Sequence, residues 1–302
     1  MPSDSSKPLD GITPETVTPD DVDESAVHAA LSSSNPLVQQ RGVEVCERLA
    51  TAGVPHVEPF LDDVVRIAGD DNAAIALRAI AVLATVADHD PTALDGRLSP
   101  LVAALDTDIV DVQLAGANLF GTLVVARHDL VTPHVGAIVT AIGVAELDSD
   151  IEDFSEVVED RVTRQTLQEH EEQERQRRTS ARQTLTNVVV AVAEQDSTGA
   201  VDAVDDLVTL LDDVDPSVAG GAIDALGYIA VDHPEAVAPV RDQVLDCLDD
   251  DRTVVRARTI KTLGHLGDDA AVVKLRRVAE TDEDEAVREL AEETATFLEY
   301  RS

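Results

Sequence analysis

The stretch 213–229, D-V-D-P-S-V-A-G-G-A-I-D-A-L-G-Y-I, recurs in degraded form along nearly the whole chain. With Val218 as its anchor, small or apolar residues stand 4, 5, 7 and 8 positions later (Ala222, Ile223, Ala225, Leu226), and Gly227 follows at 9. The same frame fits Val255 (Thr259, Ile260, Thr262, Leu263, Gly264), Ile75 (Ala79, Ile80, Val82, Leu83), Val112 (Gly116, Ala117, Leu119, Phe120, Gly121) and Val38 (Gly42, Val43, Val45, Cys46). Anchors lie 37 residues apart from Val38 to Ile75, from Ile75 to Val112 and from Val218 to Val255, and 32 apart from Val255 to Val287. A fixed period of this length means a stacked array, in which each unit buries its apolar face only against its neighbours. The 302 residues are therefore expected to form one solenoid rather than two ordinary domains.

Each unit should hold a first helix, an acidic turn and a second helix. First helices with apolar residues at i, i+3 and i+4 are expected at about 59–68, 98–105, 132–142, 202–211, 237–248 and 269–279. Thr18-Pro19-Asp20-Asp21 should start the opening helix, with a Thr cap and Pro at the first position. The turns at 70–71, 106–108, 212–216 and 249–251 supply aspartates that cap the helices after them. The fourth second helix should begin near residue 149, but its pattern appears only at Ala181, Leu185, Val188 and Val189. The expected order is thus a disordered acidic tail at 1–17, repeats at 18–143, a charged helical insertion at 144–178, and repeats with a terminal cap at 179–302. Ile151, Phe154, Val158 and Val162 give the insertion one apolar face, able to meet a partner helix or fold back on the array.

Aromatics make up 2% of the chain and Trp is absent, so the core must be Val, Leu, Ile and Ala. Sixty acids against 23 bases give a net charge of −37, and only Lys7, Lys261 and Lys274 are lysines. Such self-repulsion opposes compaction in dilute buffer and is screened over about 3 Å in about 1 M salt. The balance resembles proteins of halophilic archaea; the other reading is an acidic protein for basic partners. Cys46 falls in the column of Leu83, Phe120, Leu226 and Leu263, and both it and Cys247 are expected as packed core thiols in a reducing, cytoplasmic setting. No basic apolar leader opens the sequence, and 135–145 is too short to span a bilayer.

Asp215-Pro216-Ser217-Val218, followed by Ala222, Ala225, Leu226 and Gly227, resembles the HEAT repeat, in particular the short HEAT-like form first noted in phycobilisome lyases. Asp284-Glu285-Ala286-Val287-Arg288 with Ala291 is similar to it too, and the resemblance extends over about residues 20–300 apart from the insertion. It implies an all-α solenoid of about seven antiparallel helix pairs, whose second helices line a concave side that binds other macromolecules. The Arg that the family carries after the anchor stands at Arg182, Arg256 and Arg288, while Ala76, Gln113 and Ala219 replace it elsewhere.

The deoxyhypusine hydroxylases resemble this fold and build a di-iron centre from repeated His-Glu pairs. Here His170-Glu171 is the one such pair, and two metals need several converging ligands. The other histidines stand at unlike phases of the repeat, and no Walker loop, Gly-rich dinucleotide turn or Cys cluster occurs. No catalytic residue, cofactor or metal is expected. Arg41, Arg78 and Arg258 share position 3 after the anchor, which faces the next repeat, where a ladder to turn aspartates is expected. A −37 chain repels phosphate, so nucleic acid is disfavoured as a partner.

The middle second helices nearly lack charge: 73–87 holds only Arg78, 181–193 only Arg182, and 217–231 only Asp224. Positions 2 and 6 after the anchor point outward on a helical wheel, and they hold Leu77, Ala81, Leu114, Asn118, Gln183, Asn187 and Gly220. In a chain coated with carboxylate, this uncharged stripe is a candidate docking surface for another protein, unless the array or a second copy buries it. The expected function is a non-catalytic scaffold. Its rivals are a lyase-like or chaperone-like helper for a cofactor-bearing enzyme, and nucleic-acid binding.

Overall fold

The structure, a computed structural model, describes Leu9, Thr13 and residues 16–147, 161–267 and 269–301. In chain order its α-helices are α1 (Glu24–Leu31), α2 (Pro36–Ala52), α3 (Val54–Val57), α4 (Leu61–Ala68), α5 (Ala73–His89), α6 (Ser99–Ala103), α7 (Val110–Val131), α8 (Val135–Leu147) and α9 (Arg161–Gln195). There follow α10 (Ser197–Ala200), α11 (Val204–Val208), α12 (Pro216–Asp232), α13 (Pro234–Val237), α14 (Arg241–Asp246), α15 (Thr253–Leu266), α16 (Ala271–Thr281) and α17 (Glu285–Arg301). No strand occurs among the described residues. The fold class is an all-α solenoid of HEAT-like helix pairs. Two compact units divide the chain: 1–131 with 152–181, and 132–151 with 182–302.

In the first unit, second helices α2, α5 and α7 pack on one another in sequence order, and α1, α4 and α6 form the opposing layer. In the second unit α12 packs on α15 and α15 on α17, backed by α10, α11, α14 and α16. The columns named by the repeat frame are the core. Ala79, Ile80, Val82 and Leu83 of α5, Gly116, Ala117, Leu119 and Phe120 of α7, and Ala222, Ile223, Ala225 and Leu226 of α12 are all buried. Each fully buried Leu, Ile or Phe contributes about 1.5–3 kcal/mol over its exposed state. Thr259 and Thr262 occupy the same columns in α15 because each hydroxyl finds a carbonyl, Val255 O at 2.9 Å and Ile223 O at 3.0 Å.

The acidic turns before α12 and α17 are hydrogen-bonded Asx turns as well as helix caps, whereas Asp70 and Asp250 make the Asx turn alone, accepting from the Asn72 and Arg252 N–H groups at 2.9 and 2.7 Å, and no side chain caps α5 or α15. Asp213 accepts from the Asp215 N–H at 2.8 Å, and Asp215 in turn accepts from Ser217 at 2.8 Å to cap α12. Asp282 and Asp284 repeat this before α17, with Asp284 and Ala286 N–H groups at 2.9 Å. Asn35 caps α2 through the Leu37 N–H at 3.1 Å. At the far end of α15, Gly267 adopts a left-handed conformation (φ 66°) that closes the helix on Leu263 O.

Several expected first helices are shorter than their apolar period. Instead of one helix at 59–68, the chain makes α3, a 3₁₀ turn at Glu58–Phe60 and then α4, because Pro55 and Pro59 lack N–H donors and their rings block a continuous helix. Pro234 and Pro239 divide 234–246 in the same way, leaving Arg241–Asp246 as the helix within the expected 237–248. The opening helix likewise starts at Glu24, capped by Asp23, and not at Pro19. Thr18 to Asp21 forms a separate 3₁₀ turn closed by the Thr18 hydroxyl on Asp21 at 2.6 Å. Of the 1–17 tail, Leu9 and Val17 are buried. Ile151, Phe154 and Val158 lie outside the described residues, and Val162 stands on α9, which runs without interruption from the insertion into the fourth second helix.

Candidate functional site

In five repeats the residue after the anchor performs one task through different chemistry. Gln39 and Gln113 are buried and donate to Leu31 O (3.4 Å) and Leu105 O (3.1 Å), carbonyls at the end of the preceding first-layer segment. Arg182 donates to Ile142 O at 3.0 Å, Arg256 to Asp250 O at 2.8 Å, and Arg288 to Asp282 O at 2.7 Å. An arginine has donors left over, and these reach the next turn. Arg256 holds Asp282 in a bidentate pair at 2.8 and 2.9 Å, and Arg182 pairs with the fully buried Asp213. Where Ala219 replaces the arginine, Arg252 fills in, reaching Asp213 O while gripping Asp250 at 2.7 Å. Hydrogen bonding to Arg256 holds the Asp282 carboxyl below the usual carboxylate range, and hydrogen bonding to Arg252 does the same for Asp250.

At position 3, Arg78 and Arg258 do not reach turn aspartates as expected. Arg78 of α5 pairs with Glu44 and Glu47 of α2 at 3.2 and 3.3 Å, and Arg258 of α15 pairs with Asp224 of α12 at 2.6 Å. Position 3 lies over the flank shared by adjacent second helices, so its partner is the preceding second helix. These ties cross half-exposed surface and take up cations that could otherwise meet a phosphate. Burial raises the Asp224 carboxyl above its usual range against the pull of Arg258, Lys261 and His265.

The uncharged stripe is only partly open. In the first unit Ala81 and Asn118 are exposed, and Leu77 and Leu114 are half-buried. Residues 112–126 of α7 carry no charge, and Thr122 and Val125 add to its exposed face, Val125 at 85%. In the second unit Asn187 is exposed, but Gln183 is tied to Asp215 at 2.8 Å. Gly220 is buried, and a Cβ there would stand 2.8 Å from Cδ of Arg258. The wheel pointed position 2 outward; at Gly220 the arginine of the next second helix covers it.

Neither thiol is poised as a nucleophile. Burial, with Asp63 nearby, pushes Cys46 up to about 12, and burial pushes Cys247 up to about 11. His28 donates from Nδ1 to the Asp63 carboxylate at 2.8 Å and stacks at a tilt on Phe60, 5.0 Å between ring centres. Arg66 shares the same carboxylate at 3.0 Å, so Asp63 ties α4 to α1. His170 and Glu171 lie on α9. Among the described residues no three His, Cys, Asp or Glu side chains converge as a metal site, and no helix is long and apolar enough to cross a membrane.

Residues 204–295 match the family profile of HEAT repeats. A search of curated proteins finds no relative of the chain. Among solved structures it is similar to the archaeal HEAT-like repeats protein from Thermococcus onnurineus NA1, at 13% identity and a TM-score of 0.53 over 92% of this chain and 98% of that one. It is also similar to an engineered protein, at 17% identity and a TM-score of 0.51 over 90% of this chain and 67% of that one. At these identities the likeness is one of fold.

Proposed function

We propose that this HEAT-repeat chain is a non-catalytic scaffold that binds a partner protein on the second-helix face of its first unit, around Leu77, Ala81, Leu114 and Asn118. The observation that carries this is the contrast in charge. Sixty acids are spread through the sequence, yet 112–126 has none, and its outward side chains are Leu114, Asn118, Thr122 and Val125. An uncharged, partly apolar face on a strongly anionic molecule is what a desolvated protein contact requires. Scarce lysine and the −37 charge support a salt-rich cytoplasm as the setting.

The test is capture of partners by the tagged chain from its source cells in molar KCl, beside a Leu77→Glu, Leu114→Glu double variant shown to be folded by circular dichroism. A partner held by the parent chain and lost from the variant supports the proposal. A partner held equally by both removes this face from consideration, and no captured protein counts against the scaffold itself.

A further inference from the structure

The last helix sets aromatic side chains beside an open groove in the second unit. Among the described residues Phe60 and Phe120 are fully buried, but Phe297 is 50% and Tyr300 88% exposed. For a chain with 2% aromatics, leaving two on one helix end exposed is a large departure. The groove, about 500 Å³, is lined by Val231 of α12, Gly264 and His265 of α15, and Glu293, Thr294 and Phe297 of α17. Val231 is 56% exposed. A Cβ on Gly264 would stand 3.2 Å from Cγ2 of Thr294, so the missing side chain keeps the groove floor open.

Charge alignment says what this groove fits. Glu289, Glu293 and Phe297 recur at four-residue steps, with Tyr300 three further on, so one face of α17 runs from two carboxylates to two aromatics. Arg276 neutralises Glu292 and Glu299 on the neighbouring face, whereas Glu289 and Glu293 have no cationic partner among the described residues. His265 lines the groove from α15, so the anionic wall is α17. A second copy of a −37 chain would bring carboxylate against carboxylate on this face.

We infer that the groove among α12, α15 and α17 seats a large apolar side chain of a cationic protein segment, whose Lys or Arg about one helical turn away pairs with Glu289 and Glu293. This surface is separate from the α5–α7 face. The segment gains affinity from burying its anchor against Val231 and Phe297, and specificity from the two glutamates.

The probe is a display library of short random peptides, selected on the full chain at the lowest KCl that preserves its helicity. Selected peptides should pair a large apolar residue with Lys or Arg. They should bind a Val231→Ser, Phe297→Ser variant at least about tenfold more weakly, and a Glu289→Gln, Glu293→Gln variant more weakly still as KCl falls and the parent gains. Both variants alter exposed side chains, and circular dichroism confirms that they fold. Neutral or acidic selected peptides, equal binding to the Val231→Ser, Phe297→Ser variant, or no enrichment would overturn the inference. So would self-association of the parent that this variant abolishes. Peptides lost only from the Leu77→Glu, Leu114→Glu variant would sink this inference and leave the first-unit face standing.

Discussion

Replacing Arg182 by Met tests whether the second unit depends on its buried turn-to-turn ties. The Arg182 side chain is 7% exposed and that of Asp213 is 0%. Methionine keeps the apolar stem and removes the guanidinium. Asp213 then holds a buried negative charge that keeps the hydrogen bond from the Asp215 N–H at 2.8 Å and the more distant charge of Arg252 but loses its guanidinium pair, and Ile142 O loses its 3.0 Å donor. Breaking a buried pair from one side costs about 3–5 kcal/mol, because the orphaned charge keeps its desolvation penalty. The matched control is Arg258→Met. Arg258 and Asp224 are 35% and 27% exposed, so water screens their pair and the expected loss is about 1 kcal/mol or less.

Urea unfolding followed by far-ultraviolet circular dichroism in molar KCl measures both variants, and the salt suppresses the added net charge that each substitution brings. Adding Asp213→Asn to Arg182→Met should recover a large part of the loss. The amide still accepts from Asp215 and no longer carries a charge. Equal losses for Arg182→Met and Arg258→Met, or no recovery in the double variant, would refute the assignment of the cost to a stranded carboxylate.

Two further outcomes rest on the same electrostatics. Asp282 and Asp250 have folded pKa values below their unfolded ones, so they stabilise the fold above the ordinary carboxylate pKa of about 4, and that contribution is lost as pH falls through the folded values. In molar KCl the acid side of the stability profile should therefore be shallower for Asp282→Asn than for the parent chain; identical profiles would remove Asp282 from the account. Lowering KCl from molar to millimolar should cost helix content as 60 carboxylates lose their screening, and ellipticity indifferent to KCl would rule out a salt-dependent fold.

Much of the fold is legible in the sequence because burial repeats. Positions 4, 5, 7 and 8 after Ile75, Val112, Val218 and Val255 are buried whether filled by Leu, Ala, Gly or Thr, since each faces the same inter-helix space in every unit. The first layer was less legible, because apolar spacing at 59–68 and 237–248 says nothing about the backbone donors that Pro59 and Pro239 remove. The shared task of Gln39, Gln113, Arg182, Arg256 and Arg288 was also hidden. A motif keyed to arginine treats glutamine as a departure, although both side chains can extend an N–H to the same carbonyl.

The candidate face shows where a helical wheel fails. A wheel places a residue relative to its own helix axis, whereas exposure depends on what the adjacent helix sends across. Position 2 gives a half-buried leucine at Leu77 and Leu114 but a covered backbone at Gly220, because Arg258 folds over α12 to reach Asp224. The same crossing occurs at Arg78, which reaches back to Glu44 and Glu47 and leaves Ala81 of its own helix exposed. Position 3 of one repeat thus decides how much of the preceding second helix is open. In α7 that position is Ala115, and no side chain longer than a methyl extends from it toward α5. The absence of a crossing arginine at Ala115 leaves Leu77 half-buried and Ala81 exposed on α5, and the uncharged run at 112–126 makes Leu114 and Asn118 the adjoining part of the face proposed for a partner.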